Sequence, residues 1–169
     1  MLLRVVSLVS ILLLPACGTI TFTPSVYPLR DGLIPPFQVS GSTTITNAQP
    51  STAEVIVYSY GGSRLASNLN AITGTMVQQA TDELKKNGRV ALGGQPRSIA
   101  LKVNSLLSEY IFFFWKSKIH FEATLGDGTV ITKEVPHASG DLAQDLNGCI
   151  AEGVMVLFND KQLLAYLAK

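Results

Sequence analysis

The chain has 169 residues, with 13 Lys and Arg against 12 Asp and Glu, and nearly half of it is apolar. That length suits one domain with a real core. The balanced charge gives no basic surface for a nucleic acid, and two Cys and two His leave too little for a zinc site or a disulfide framework.

The first residues read as an address. Arg4 supplies a positive start, Val5 to Leu14 (VVSLVSILLL) an apolar run, and Pro15-Ala16 a small-residue close. This three-part pattern predicts a signal peptide over residues 1–16. A spanning anchor needs roughly 20 predominantly apolar residues, but Pro15, Gly18 and Pro24 interrupt the run first. Leu14-Pro15-Ala16-Cys17 resembles a bacterial lipobox. The resemblance implies that Cys17 becomes the mature N-terminus, carrying a thioether-linked diacylglycerol and an N-acyl chain. Gly18, where Asp is the enteric retention signal, then implies the periplasmic side of the outer membrane in a Gram-negative cell.

Residues 17–36 hold Pro24, Pro28, Pro35 and Pro36 among scattered Thr, which favours extended chain. Such a segment is long enough to act as a tether of about 60 Å, or it lies across the domain. Residues 37–169 form the single domain. Phe37–Thr46 reads as an edge strand weakened by Gly41, and Ala53–Tyr60 as a firmer strand. Leu65, Leu69, Ile72, Met76, Ala80 and Leu84 then recur at steps of three and four, predicting a helix capped by Ser63 and closed by Asn87-Gly88.

Ser98–Ser108 is the next strand, with Ile99, Leu101, Val103, Ser105 and Leu107 on one side. Trp115–Leu125 follows, Gly126-Asp127-Gly128 signals a hairpin, and Thr129–Val135 returns until Pro136. Ser139 or Asp141 caps a final helix bearing Leu142, Leu146, Cys149, Ile150, Val154 and Leu157, and Lys161–Leu167 continues it. The expected fold is α+β: a two-layer sandwich with a mixed four- to five-stranded sheet and two helices on one face, in the order β-α-β-β-β-α.

Catalytic groupings are sparse. His120 and His137 lie outside any metal-ligand spacing and read as surface residues. Gly61-Gly62-Ser63-Arg64 lacks the Walker pattern and reads as a strand-to-helix turn. Asp145 reads as a solvated residue and Cys149 as a small buried hydrophobe without a disulfide. No enzyme, cofactor or metal is expected. The unusual segment is Tyr110-Ile111-Phe112-Phe113-Phe114-Trp115, followed by Lys116. Six such residues in a row cannot share one face of a strand. Either both faces are buried, or Phe112, Phe113, Phe114, Trp115 and Lys116 form an exposed tip that docks on a protein partner or on lipid headgroups.

The lipobox, the helix ending LKKNG, the strand RSIALKVNSLLSEY, the LGDGTV hairpin and the closing LNGCIAEGVMVLFNDKQLLAYLA together resemble a YajG-type outer-membrane lipoprotein. The element order is also similar to that of LptE, the lipoprotein that plugs the lipopolysaccharide translocon. The resemblance implies no enzymatic activity. The expected role is a lipid-anchored accessory or assembly subunit of an envelope complex; the alternative is a lipid or lipopolysaccharide chaperone of LptE type.

Overall fold

The computed structural model describes residues 18–91 and 93–169. The expected signal peptide and Cys17 lie outside these residues. The described chain has nine strands and three helices in an α+β arrangement, five strands before the first helix and four between it and the last two. Seven strands make one mixed sheet, where four to five were expected, and two make a small parallel sheet. The excess comes from short strands with little alternation of their own. These are β1 (Thr19–Thr21), β2 (Phe37–Ser40), β3 (Thr43–Asn47), β5 (Ser63–Asn68) and β6 (Gly88–Ala91).

The backbone of the sheet is β4 (Glu54–Tyr60), β7 (Arg97–Ile111), β8 (Phe114–Leu125) and β9 (Val130–Ser139). In the order β1-β5-β4-β7-β8-β9, β1 and β9 form the edges, and β3 pairs β7 below the point where β4 joins it. The expected strand Phe37–Thr46 is broken in two. Gly41 takes φ +76°, so β2 pairs β6 in the small sheet while β3 enters the main one.

The first helix, α1 (Leu69–Asn87), starts later than its periodicity suggests. Gly61 and Gly62 both have positive φ, the sign pattern of a type I′ hairpin turn, and Tyr60 pairs Ser63 across it. The Gly-Gly pair therefore makes a β-hairpin rather than a strand-to-helix turn. The cap is Asn68, whose Oδ1 accepts from the Ala71 amide at 2.7 Å, and not Ser63. The second helix, α2 (Leu142–Phe158), is capped by Asp141, which accepts from the Gln144 amide at 2.9 Å. The expected continuation is a separate helix, α3 (Lys161–Ala168), because Asp160 caps a new start through the Gln162 and Leu163 amides.

Helices α1 and α2 stand against the same face of the sheet. Met76 of α1, Gly153 of α2, and Ile119 and Phe121 of β8 meet at one point. The core around it includes Ile72, Ile99, Leu101, Val103, Leu106, Leu146, Ile150, Val154 and Leu157. The expected alternation holds along β8 but shifts in β7. A bulge between Val103 and Ser105 slips the register by one residue, so Leu106 is buried and Leu107 is exposed. The bulge sits where β7 passes from β3 to β4. There the Val103 amide donates to Thr73 Oγ1 and its carbonyl accepts from Gln49 Nε2 at 2.7 Å. Two buried polar side chains thus satisfy backbone that the ladder leaves open.

Residues 19–34 take the course of lying across the domain. Strand β1 pairs β5 in parallel, and Phe22 and Ile34 are in the core. The Ser25 amide reaches Asn147 on α2, the Tyr27 amide reaches Gln79 on α1, and Asp31 pairs with Lys86 at 2.6 Å. The segment is a strap over both helices.

Candidate functional site

The β7–β8 hairpin carries the aromatic segment beyond the rest of the sheet. Its strands stay paired to the last rung, Ile111 with Phe114, leaving Phe112 and Phe113 as a two-residue turn. Phe112 has φ +55°, and Phe113 does not share the positive sign. That is the pattern of a type II′ turn, whose first central position normally takes glycine. A bulky L-residue in this region is strained. The turn nonetheless presents Phe112 and Phe113 at 80% and 90% exposure. Burial on both faces, one of the two expectations for this segment, is overturned at its apex. The reason is length: β7 and β8 outrun both helices and the neighbouring strands.

The flanks of the tip are less free. Tyr110 and Trp115 pair across the hairpin with ring centroids 5.2 Å apart, and the Tyr60 ring of β4 meets Tyr110 at a tilt, 5.4 Å between centroids. This ladder braces the tip on the side of the helices, where Trp115 Nε1 is enclosed without a hydrogen-bond partner. Phe114 and Lys116 belong to the other face. There Leu107, Glu109, Ile111, Lys116 and Lys118 line a shallow concavity of about 350 Å³. Lys118 is paired with Glu134 of β9 at 3.0 Å. The five residues singled out by sequence therefore divide: an apex of Phe112 and Phe113, a braced Trp115, and Phe114 with Lys116 on the open face.

Groups with chemical capacity are held elsewhere. Asp145, expected in solvent, is fully buried on α2 and accepts from Ser108 Oγ of β7 at 2.7 Å and Ser117 Oγ of β8 at 2.5 Å. Asp145 faces the sheet one turn before Cys149, and two serines of the strand interior supply its hydrogen bonds. Cys149 is buried as expected; loss of solvent pushes its thiol up to about 12.

His137 is not beyond the strand end. Strand β9 runs through Pro136, which an edge strand tolerates, so His137 lies within it. Its Nδ1 meets Glu152 Oε2 of α2 at 2.7 Å, and its other ring nitrogen faces Gly148, where a methyl group would overlap it. The imidazole thus rests on helix backbone, with a carboxylate on one side and no side chain on the other. His120 lies on the open face of β8, paired with Glu134 across the ladder.

Two concavities of about 440 and 580 Å³ flank Leu33 and Met155 on the helix side. Arg30, Glu152 and His137 border the first, and Lys133, Asp160 and Lys161 the second. Among the described residues no cluster of His, Cys, Asp or Glu has the grouping of a metal site, and no helix is long and apolar enough to cross a membrane. The bulge-filling pair Gln49 and Thr73 and the Asp145–Ser108–Ser117 set escaped sequence reasoning, since their partners are 28 or more residues away. No family model and no curated protein matches the chain.

Proposed function

We propose that this chain is a YajG-type lipoprotein, anchored through acyl groups on Cys17 to the periplasmic side of the outer membrane. There it serves as a non-enzymatic accessory or assembly subunit of an envelope complex. The observation that carries the reading is the uncovered sheet face. In a two-layer arrangement the helices occupy one side only, and the strap crosses the helices rather than the opposite side. The open face presents Leu107, more than half exposed, among Glu109, Lys116 and Lys118. An apolar residue ringed by charges of both signs suits a partner protein that is itself polar at its rim. The interior supports a structural role as well, because Asp145, His137 and Cys149 are each spent on joining α2 to the sheet.

The test is a photo-crosslinker at position 107, used in intact envelopes of a Gram-negative host and followed by mild solubilisation. A discrete crosslinked species that co-purifies with the uncrosslinked chain is expected. Recovery of the chain solely as a free monomer under both treatments would sink the accessory role.

A further inference from the structure

The exposed aromatic apex and the start of the described chain lie at the same end of the molecule. Strand β1 runs parallel to β5, which leaves the β4–β5 hairpin at Ser63, so β1 begins at that hairpin's turn. Thr19 is level with Arg64, and Arg64 with Ser59. Tyr58 pairs Ser108, which sets Ser59 beside Glu109, and Glu109 pairs Lys116. One row of the sheet therefore runs Thr19, Arg64, Ser59, Glu109, Lys116.

Beyond this row the hairpin projects three more residues, about 10 Å, to Phe112 and Phe113. On the same side the described chain begins, at Gly18 next to Thr19. Three strand spacings, about 15 Å, separate the two points laterally. Sheet twist fans the strands apart by roughly 20–25° each, which leaves both ends on one side of the row.

We infer that the Phe112–Phe113 apex enters the headgroup region of the bilayer that holds the acyl chains of Cys17, making a second contact that fixes the orientation of the domain. The inference rests on the proposed acylation of Cys17. Four observations favour a lipid surface over a protein as the occupant of the apex. The described chain begins on the side of the row from which the apex projects, and Cys17 is the residue before it in sequence. The apex turn is only two residues wide, and the hollow of about 500 Å³ beside it is lined by aromatic and aliphatic side chains, Tyr60, Tyr110, Ile111, Phe112 and Phe113, with no charged group. Its side chains are aromatic, with Trp115 and Tyr110 just behind, which is the order found at a membrane boundary. Finally, Arg64 and Lys116 stand in the row below, where they meet anionic headgroups, with Glu109 as the one acidic residue among them. Tyr60, well exposed and one residue beyond the row, extends the apolar rim toward the apex.

Trp115 is the one tryptophan of the chain, so a single indole reports on the tip. The full-length chain is produced with its own leader in a Gram-negative host. It is checked by intact mass for acylation and reconstituted in phosphatidylethanolamine–phosphatidylglycerol vesicles, with or without bromine on the acyl chains. The reporter is Phe113→Trp in a Trp115→Phe background. Brominated lipid is expected to remove roughly half or more of its emission, as shallow insertion requires. A companion, Phe112→Gly with Phe113→Ser, keeps the indole at 115. It should sediment with vesicles as before, because the acyl chains still hold it, but lose most of the quenching seen for Trp115 in the otherwise unchanged chain.

An acylated protein that sediments with vesicles while its apex indole stays unquenched overturns the inference and leaves the anchor standing. The apex would then be free for a protein partner. A mass without acyl groups overturns the anchor instead. In that sample, quenching at the apex sustains the bilayer contact on its own, and its absence overturns both.

Discussion

One hairpin supplies both fully buried core residues and the most exposed large apolar residues among those described. At its base, Ile99, Leu101, Phe121 and Ala123 are fully enclosed, and their neighbours on the other face, Ala100 apart, are polar: Ser98, Lys102, His120, Glu122 and Thr124. At its apex the apolar residues increase while the cover disappears. The backbone differs in the same sense: over residues 99–103 and 121–125 the strands pair without a shift, whereas Phe112 sits at a positive φ that glycine would occupy more easily. The base is arranged for stability. The apex gives up stability to keep two large rings in solvent, and such strain points to function at the apex.

Substitutions that remove side chains from each end make this contrast measurable. Phe121→Ala at the base opens a cavity against Gly153 and Met76, and it should cost about 3–5 kcal/mol in denaturant unfolding. A cost below that of an ordinary surface substitution would show that the base is not the packed core. Midway along the hairpin, Asp145→Ala strips Ser108 of its buried acceptor and leaves Ser117 only the backbone carbonyl of residue 145. Its expected cost is about 2 kcal/mol, with Asp145→Asn losing less because it retains an acceptor oxygen. Equal losses in the two variants would show that packing, and not hydrogen bonding, fixes α2 there. At the apex the sign reverses. Phe112→Gly relieves the left-handed strain and should raise stability by about 1 kcal/mol in the same assay. A loss of that size would mean that the Phe112 ring is held by contacts worth more than the strain.

The cases where sequence and structure part have a common cause. Along β8 the alternation of Ile119, Phe121 and Ala123 with Lys118, His120 and Glu122 was legible, because the strand is long and has one dry face. Along β7 the same reasoning put Leu107 inside, and a single bulged residue sent it out. Leu65 satisfied a helical spacing, yet Gly61-Gly62 folded it back into β5. Both glycines are plain in the sequence, but their choice between a hairpin and a helix entrance is made by whether β4 offers a free edge. The candidate site was legible as a segment and not as a surface. Six consecutive apolar residues announce something unusual, but only the lengths of β7 and β8 relative to the helices decide whether they are covered.

Local chemistry was enough to read the α+β class, the apolar face of α1, a cap for α2 at Ser139 or Asp141, the Gly126-Asp127-Gly128 turn and the burial of Cys149. Each depends on periodicity or on hydrogen bonds within a few residues. Tertiary structure alone decided the seven-stranded order, the strap of residues 19–34 over the helices, the buried Asp145 with its two serines, and the meeting of β1's start with the aromatic apex. Those depend on which strand lies beside which. That choice is set by the burial and backbone pairing of segments far apart in the chain, which no local pattern of residues encodes.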